Sequence, residues 1–237
     1  MERQAVEFLE KALGLALDVL PVTDVSDVRH NVELNTDEGR VVGNFQLPLI
    51  YGAEPTDTPL SRENYSSIYT VYIEYELAVG PTESFLAVQR SKFELRVRTT
   101  PGVRFEYERD YTSAPTAHIH ASGVSGLLSV ALMANFEGTK QKQKRRGELQ
   151  RLHFPVGGRR FRPSLEDFLY FIIAECGFRG QPGWRNRLLD AREEWLDGQL
   201  RAAVGDHPTV AADALRALGY SVEPPNGSDV AKARKRS

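Results

Sequence analysis

Residues 69–79 read YTVYIEYELAV. Tyr69, Val71, Ile73, Tyr75, Leu77 and Val79 share one parity, and Glu74 and Glu76 share the other. Successive side chains of an extended chain point to opposite faces, so this alternation predicts a strand with one apolar face. Gly80-Pro81 follows as a turn signal. Phe85–Arg98 then alternates again, with Phe93, Leu95 and Val97 inward and Arg90, Lys92, Glu94, Arg96 and Arg98 outward. Thr100-Pro101-Gly102 reads as the next turn. Val103–Tyr111 sets Val103, Phe105 and Tyr107 against Arg104, Glu106, Glu108 and Asp110. Alternating segments joined by short turns imply antiparallel pairing with one face in water.

Upstream, residues 27–34 place Val28, His30, Val32 and Leu34 on one face. Residues 41–51 do the same with Val41, Phe45, Leu47, Leu49 and Tyr51, and Asp37-Glu38-Gly39 supplies a hairpin turn between the two. Pro48 marks an edge or a bulge, because it has no N–H to give a ladder. Residues 52–64 read as a polar surface loop. Before all of these, Phe8, Leu9, Ala12, Leu13, Ala16 and Leu20 recur at helical spacing until Pro21 stops the helix.

Downstream the period changes. Residues 124–136 predict a helix, 138–147 (GTKQKQKRRG) an exposed basic loop, and 152–156 a short strand ended by Gly157-Gly158. Pro163 and Ser164 open a deeply buried helix, with Ser164 and Asp167 forming a capping box. Gly177 suits its C-cap. A long helix follows over 184–204, packing through Leu188, Leu189, Ala191, Trp195, Leu196 and Leu200. Pro208 begins another, and Gly219 ends it. The class is therefore α+β: an N-terminal helix, an antiparallel sheet of five to six strands, and a helical C-terminal third. One domain is expected over 1–222, sheet-rich to 122 and helical from 123, with a basic disordered tail over 223–237.

The 237 residues are 41% hydrophobic and 26% charged, with a net charge of -2, as in ordinary soluble domains. Nothing global draws the chain to nucleic acid, so such binding needs a local patch. Cys176, the single cysteine, excludes an intramolecular disulfide and a Cys-based zinc site. No secretory signal is expected at the N-terminus, and no apolar run reaches the roughly 18 residues that span a bilayer. A cytoplasmic protein without membrane contact is the expectation. Dinucleotide-binding and P-loop glycine patterns are absent, as is the G-x-S-x-G nucleophile elbow.

Two groups of residues could carry chemistry. His118 and His120, at i and i+2 in AHIH, point to one face of a strand, with rings about 6–7 Å apart along it. His153 on a neighbouring strand would add a third metal ligand, and Glu106, Glu108 or Asp110 a carboxylate. Glu106 and Asp110, crowded by like charge, would also serve as general acid or base. Arg96 and Arg98 are the expected cross-strand partners of these acids. The second group is basic: Lys140, Lys142, Lys144, Arg145 and Arg146, then Arg159, Arg160 and Arg162, beside amides at 156–158 that could form an anion nest.

The run RFEYERD (104–110), then AHIH (117–120), then RLHFPVGGRRFRPSLEDFLYFII (151–173) resembles uncharacterised bacterial families associated with toxin–antitoxin or phage-defence genes. The resemblance covers about residues 104–178. It implies a role in such a system and carries over no catalytic residue. Two readings follow. The first is a non-enzymatic binding protein that contacts nucleic acid or an acidic protein partner through the basic segment. The second is a metal-dependent, nuclease-like hydrolase centred on His118, His120 and His153. The first needs fewer coincidences. Neither cofactor nor oligomeric state is legible in the sequence.

Overall fold

The computed structural model describes residues 2–35, 39–50, 68–79, 86–121, 140, 153–157 and 160–223. The expected features at 37–38, 52–64, 80–81, 124–136 and 224–237, and the basic loop apart from Lys140, lie outside them. The chain divides into two compact units, Met1–Arg192 and Glu193–Ser237.

The first unit opens with α1 (Glu2–Val19) and a 3-10 turn at Val25–Asp27. Strands β1 (Arg29–Asn35), β2 (Arg40–Leu49), β3 (Tyr69–Val79), β4 (Leu86–Val97), β5 (Thr100–Glu108), β6 (Ala117–Ala121) and β7 (Phe154–Pro155) follow. They form one sheet in the order β1-β2-β3-β4-β5-β6-β7, every pair antiparallel. The class is α+β as the alternation predicts, with seven strands rather than five or six. Helix α2 (Leu165–Ala174) comes next, and α3 (Trp184–Asp206) runs across the boundary into the second unit.

The core lies on the odd-parity face of β2–β5. Phe45, Leu47, Val71, Ile73, Leu77 and Phe93 are buried there against Leu9, Ala16 and Leu20 of α1 and Phe168, Leu169 and Ile172 of α2. Gly43 makes room for α1: a Cβ at this position would lie 2.5 Å from Leu9 Cδ1. Phe105 meets Phe168 and Phe171 edge-on or tilted, at 5.3 and 5.7 Å. The capping box forms as expected, with Ser164 Oγ accepting from the Asp167 N–H and Asp167 Oδ2 accepting from the Ser164 N–H. Gly177, just past the helix, takes φ 78°.

Several expectations are corrected. The β4–β5 turn is Arg98-Thr99, with Arg98 at φ 57°, not Thr100-Pro101-Gly102. Pro101 instead lies in β5 opposite Arg96, where a bulge at Gly102 absorbs the register shift. Val97 is not inward but 42% exposed. On β1, His30, Val32 and Leu34 are exposed, because this edge strand extends beyond the helices' cover. Pro48 lies past the end of the β1 pairing, and its carbonyl there accepts from the Thr23 N–H. Of the expected packing side of α3, Leu188 is buried, whereas Leu189 and Leu200 are about half exposed. Most consequential, part of the even-parity face is closed to water: Glu94 is 0%, His118 4% and His120 7% exposed, while Arg90 and Glu108 on the same face are exposed.

In the second unit, α3 ends at Asp206 and α4 (Pro208–Ala217) begins with Pro at its first position. Gly219 follows at φ 90°. Arg216 donates to Asp213 and to the carbonyl of Val222. No helix among the described residues is long and apolar enough to cross a membrane.

Candidate metal centre

Register places the site. Across the sheet, Glu94 pairs with Arg104 and Arg104 with His120. The adjacent row runs Glu74, Lys92, Glu106, His118 and Pro155. One step further along the β6–β7 register brings His153 opposite His120. The even-numbered side chains of β3–β6 share one face, and His153, just before β7, brings its ring against His118 and His120 on that face.

The rings are close. Centroids lie 5.0 Å apart for His118–His120, 4.6 Å for His118–His153 and 4.7 Å for His120–His153. One ring nitrogen from each lies within 4.8 Å of the others. Glu106 Oε2 is 3.3 Å from His118 Nε2 and 3.1 Å from His120 Nε2. Zn–ligand bonds of about 2.0–2.1 Å in a tetrahedral site put neighbouring ligand atoms about 3.3 Å apart. Each of the two imidazole nitrogens thus lies at about that spacing from the carboxylate oxygen.

Hydrogen bonding fixes one tautomer. His118 Nδ1 lies 2.7 Å from the carbonyl of Pro115, which can only accept, so Nδ1 carries a proton and donates. In a neutral ring the lone pair is then on Nε2, facing a carboxylate oxygen. That contact is met either by a proton on Nε2, which makes His118 an imidazolium paired with Glu106, or by a cation bound between the two atoms. A divalent ion satisfies both nitrogens and the carboxylate with neutral rings. His120 Nδ1 is buried with no hydrogen-bond partner. Tyr111 stacks on His118 with centroids 6.4 Å apart.

Electrostatics favour an ionised Glu106. Burial pushes its carboxyl up, but His118, His120 and Arg104 outweigh this and hold it well below the usual carboxylate range. Arg104 Nε lies 3.2 Å from Glu106 Oε2, in ion-pair range though not aligned as a hydrogen bond. The cross-strand cations facing the acids of β5 are Lys92 and Arg90, opposite Glu106 and Glu108, rather than Arg96 and Arg98. Arg96 instead pairs with Glu94.

The sequence-derived candidates therefore separate. His118, His120 and His153 meet, and Glu106 lies against the first two. Asp110 does not join them: it is exposed in the turn after β5 and lines a polar cleft with Arg40, Glu76, Gln89, Arg90, Glu108 and Arg109. Of the basic set, Lys140 is exposed and Arg160 half-buried. Arg162 turns inward, its guanidinium 4.2 Å above the Tyr107 ring. Lys142, Lys144, Arg145, Arg146 and Arg159 lie outside the described residues. Arg104 and Glu94 escaped the sequence reading as site residues. Their signal was parity: each shares its face with Glu106.

Comparison with protein-family models, curated proteins and solved structures returned no match. The reading of the site rests on its own geometry.

Proposed function

We propose that this chain is a metal-dependent hydrolase, with His118, His120, His153 and Glu106 holding one divalent ion of the zinc type. The observation that carries the reading is the convergence of three imidazole nitrogens within 4.8 Å of one another. Imidazole and carboxylate donors suit borderline transition metals rather than calcium or magnesium. Such an ion, when bound, polarises an ester or phosphoryl oxygen and lowers the pKa of water. The chain's own residues do the rest. His118, oriented by the Pro115 carbonyl, presents Nε2 as donor atom. Glu106 is one-quarter exposed on its side chain, whereas His118 and His120 are nearly covered, so solvent reaches the donors from the Glu106 side.

The test begins with metal-free protein. Titration with Zn2+ or Co2+ should show one equivalent bound, and His118→Ala or His153→Ala should abolish tight uptake. Turnover of an activated phosphodiester should appear only with metal, and Glu106→Gln should remove it. A folded wild-type protein that takes up no ion would end the reading.

The non-enzymatic reading, binding of nucleic acid or an acidic protein through the basic segment, has Lys140 as its exposed described cation. Salt-dependent binding to DNA or RNA that survives His118→Ala would favour it.

A further inference from the structure

We propose that Glu94 and Arg104 are positioning residues for this centre: the buried Glu94 carboxylate holds the Arg104 guanidinium, and Arg104 holds Glu106 Oε2 at the corner it shares with the two imidazoles. The inference rests on the metal-centre reading above. Glu94 sits directly across from Arg104, and Arg104 directly across from His120, so the three lie in one row leading to the site. Arg104 Nη1 is 3.8 Å from Glu94 Oε1 and its Nε is 3.2 Å from Glu106 Oε2. One guanidinium thus spans two carboxylates.

Glu94 is an expensive residue at this place. It is fully buried, and its Oε1 has no hydrogen-bond partner, while its other oxygen takes Arg96. A buried carboxylate with an unsatisfied oxygen costs stability, and an apolar side chain of similar size would usually serve the fold as well or better. The charge has a use if Arg104 must stay beside Glu106 without adding net positive charge near a divalent ion. Glu94, paired through its other oxygen with Arg96, sets a negative charge 3.8 Å from Arg104 Nη1. Carboxylates and cations behind first ligands commonly orient them in this way.

The experiment uses full-length protein loaded with Co2+, read by its visible d–d absorption and by competition with a chelator. Glu94→Gln and Arg104→Gln should each weaken Co2+ binding by about 10–100-fold. Both should also shift or diminish the d–d bands, because Glu106 leaves its corner. Arg104→Lys, which keeps the charge but loses the fork, should fall between, and it stands in if Glu94→Gln does not fold. A merely structural pair would lower the melting temperature and leave the bands alone. Folded variants with wild-type bands and affinity would overturn the positioning role while leaving the centre intact. A wild-type protein that takes up no Co2+ would overturn the centre itself, and the positioning role with it.

Discussion

At the scale of single residues, Glu166 in the first turn of α2 shows what a half-buried acid does to stability. Its Oε2 is buried without a hydrogen-bond partner. Burial is the largest influence on its carboxyl and pushes it up; Ser164 and Lys11 oppose, and Asp167 adds to the rise. An acid raised on folding is held more tightly by the proton in the native state. Its contribution is therefore favourable below the ordinary carboxyl value, about 4.3, and is lost as pH rises through the folded value. Glu166→Gln removes that loss. Melting curves should show the variant gaining on wild type as pH goes from about 4 to about 7; a constant difference would reject the argument. Gly43 offers a second case. Gly43→Val pushes branched methyls into Leu9 of α1, and chemical denaturation should show a loss of about 1–3 kcal/mol.

At the scale of elements, β3 carries both faces of the sheet. Tyr75 packs edge-on against Phe8 and Phe93 at 4.9 and 5.3 Å, so Tyr75→Asp should cost several kcal/mol. Glu74 looks from the sequence like a solvated position, where Glu74→Lys would be nearly neutral. It is in fact paired with Arg90 at 3.0 Å, accepts from the Tyr72 hydroxyl and faces Lys92. Reversal should therefore cost more than the roughly 0.5 kcal/mol of an exposed pair and less than the roughly 3 kcal/mol of a fully buried one. Urea midpoints of the two variants would separate these outcomes. The contrast also marks how far the sequence could be read. Period-two alternation from Tyr69 to Tyr107 was enough for these strands, their antiparallel pairing and the apolar side, and Ser164 with Asp167 announced α2. Alternation says which residues share a face, but not how well that face is covered, so Glu94 read as wet. Turn positions misled as well, because Pro101 and Gly102 belong to a bulge and the turn falls on Arg98, a residue that rarely accepts positive φ. The imidazole pair was visible as H-x-H. Its meeting with His153 depended on a register set across β6 and β7, and no local pattern encodes that.

At the scale of the whole molecule, a ligand that binds only the native state raises its stability by mass action. An ion at 100 times its dissociation constant adds about 2.7 kcal/mol. Zn2+ or Co2+ should therefore raise the melting temperature of wild type and leave His153→Ala unmoved. A further consequence lies in the strand order. Every strand pairs with its neighbour in sequence; the connections are short except those from β2 (ending at Leu49) to β3 (from Tyr69) and from β6 (ending at Ala121) to β7 (from Phe154), so β7 closes the longest loop. The last pairings, β5 with β6 and β6 with β7, bring in the imidazoles. A slip of one residue between β5 and β6 would turn both rings of His118 and His120 toward the helices. A slip of two would keep their side but move His118 from its place opposite Glu106. Capture of an ion by all the donors at once is then possible only for the sheet in its native register, and the metal would act as proofreader of the final strands to join.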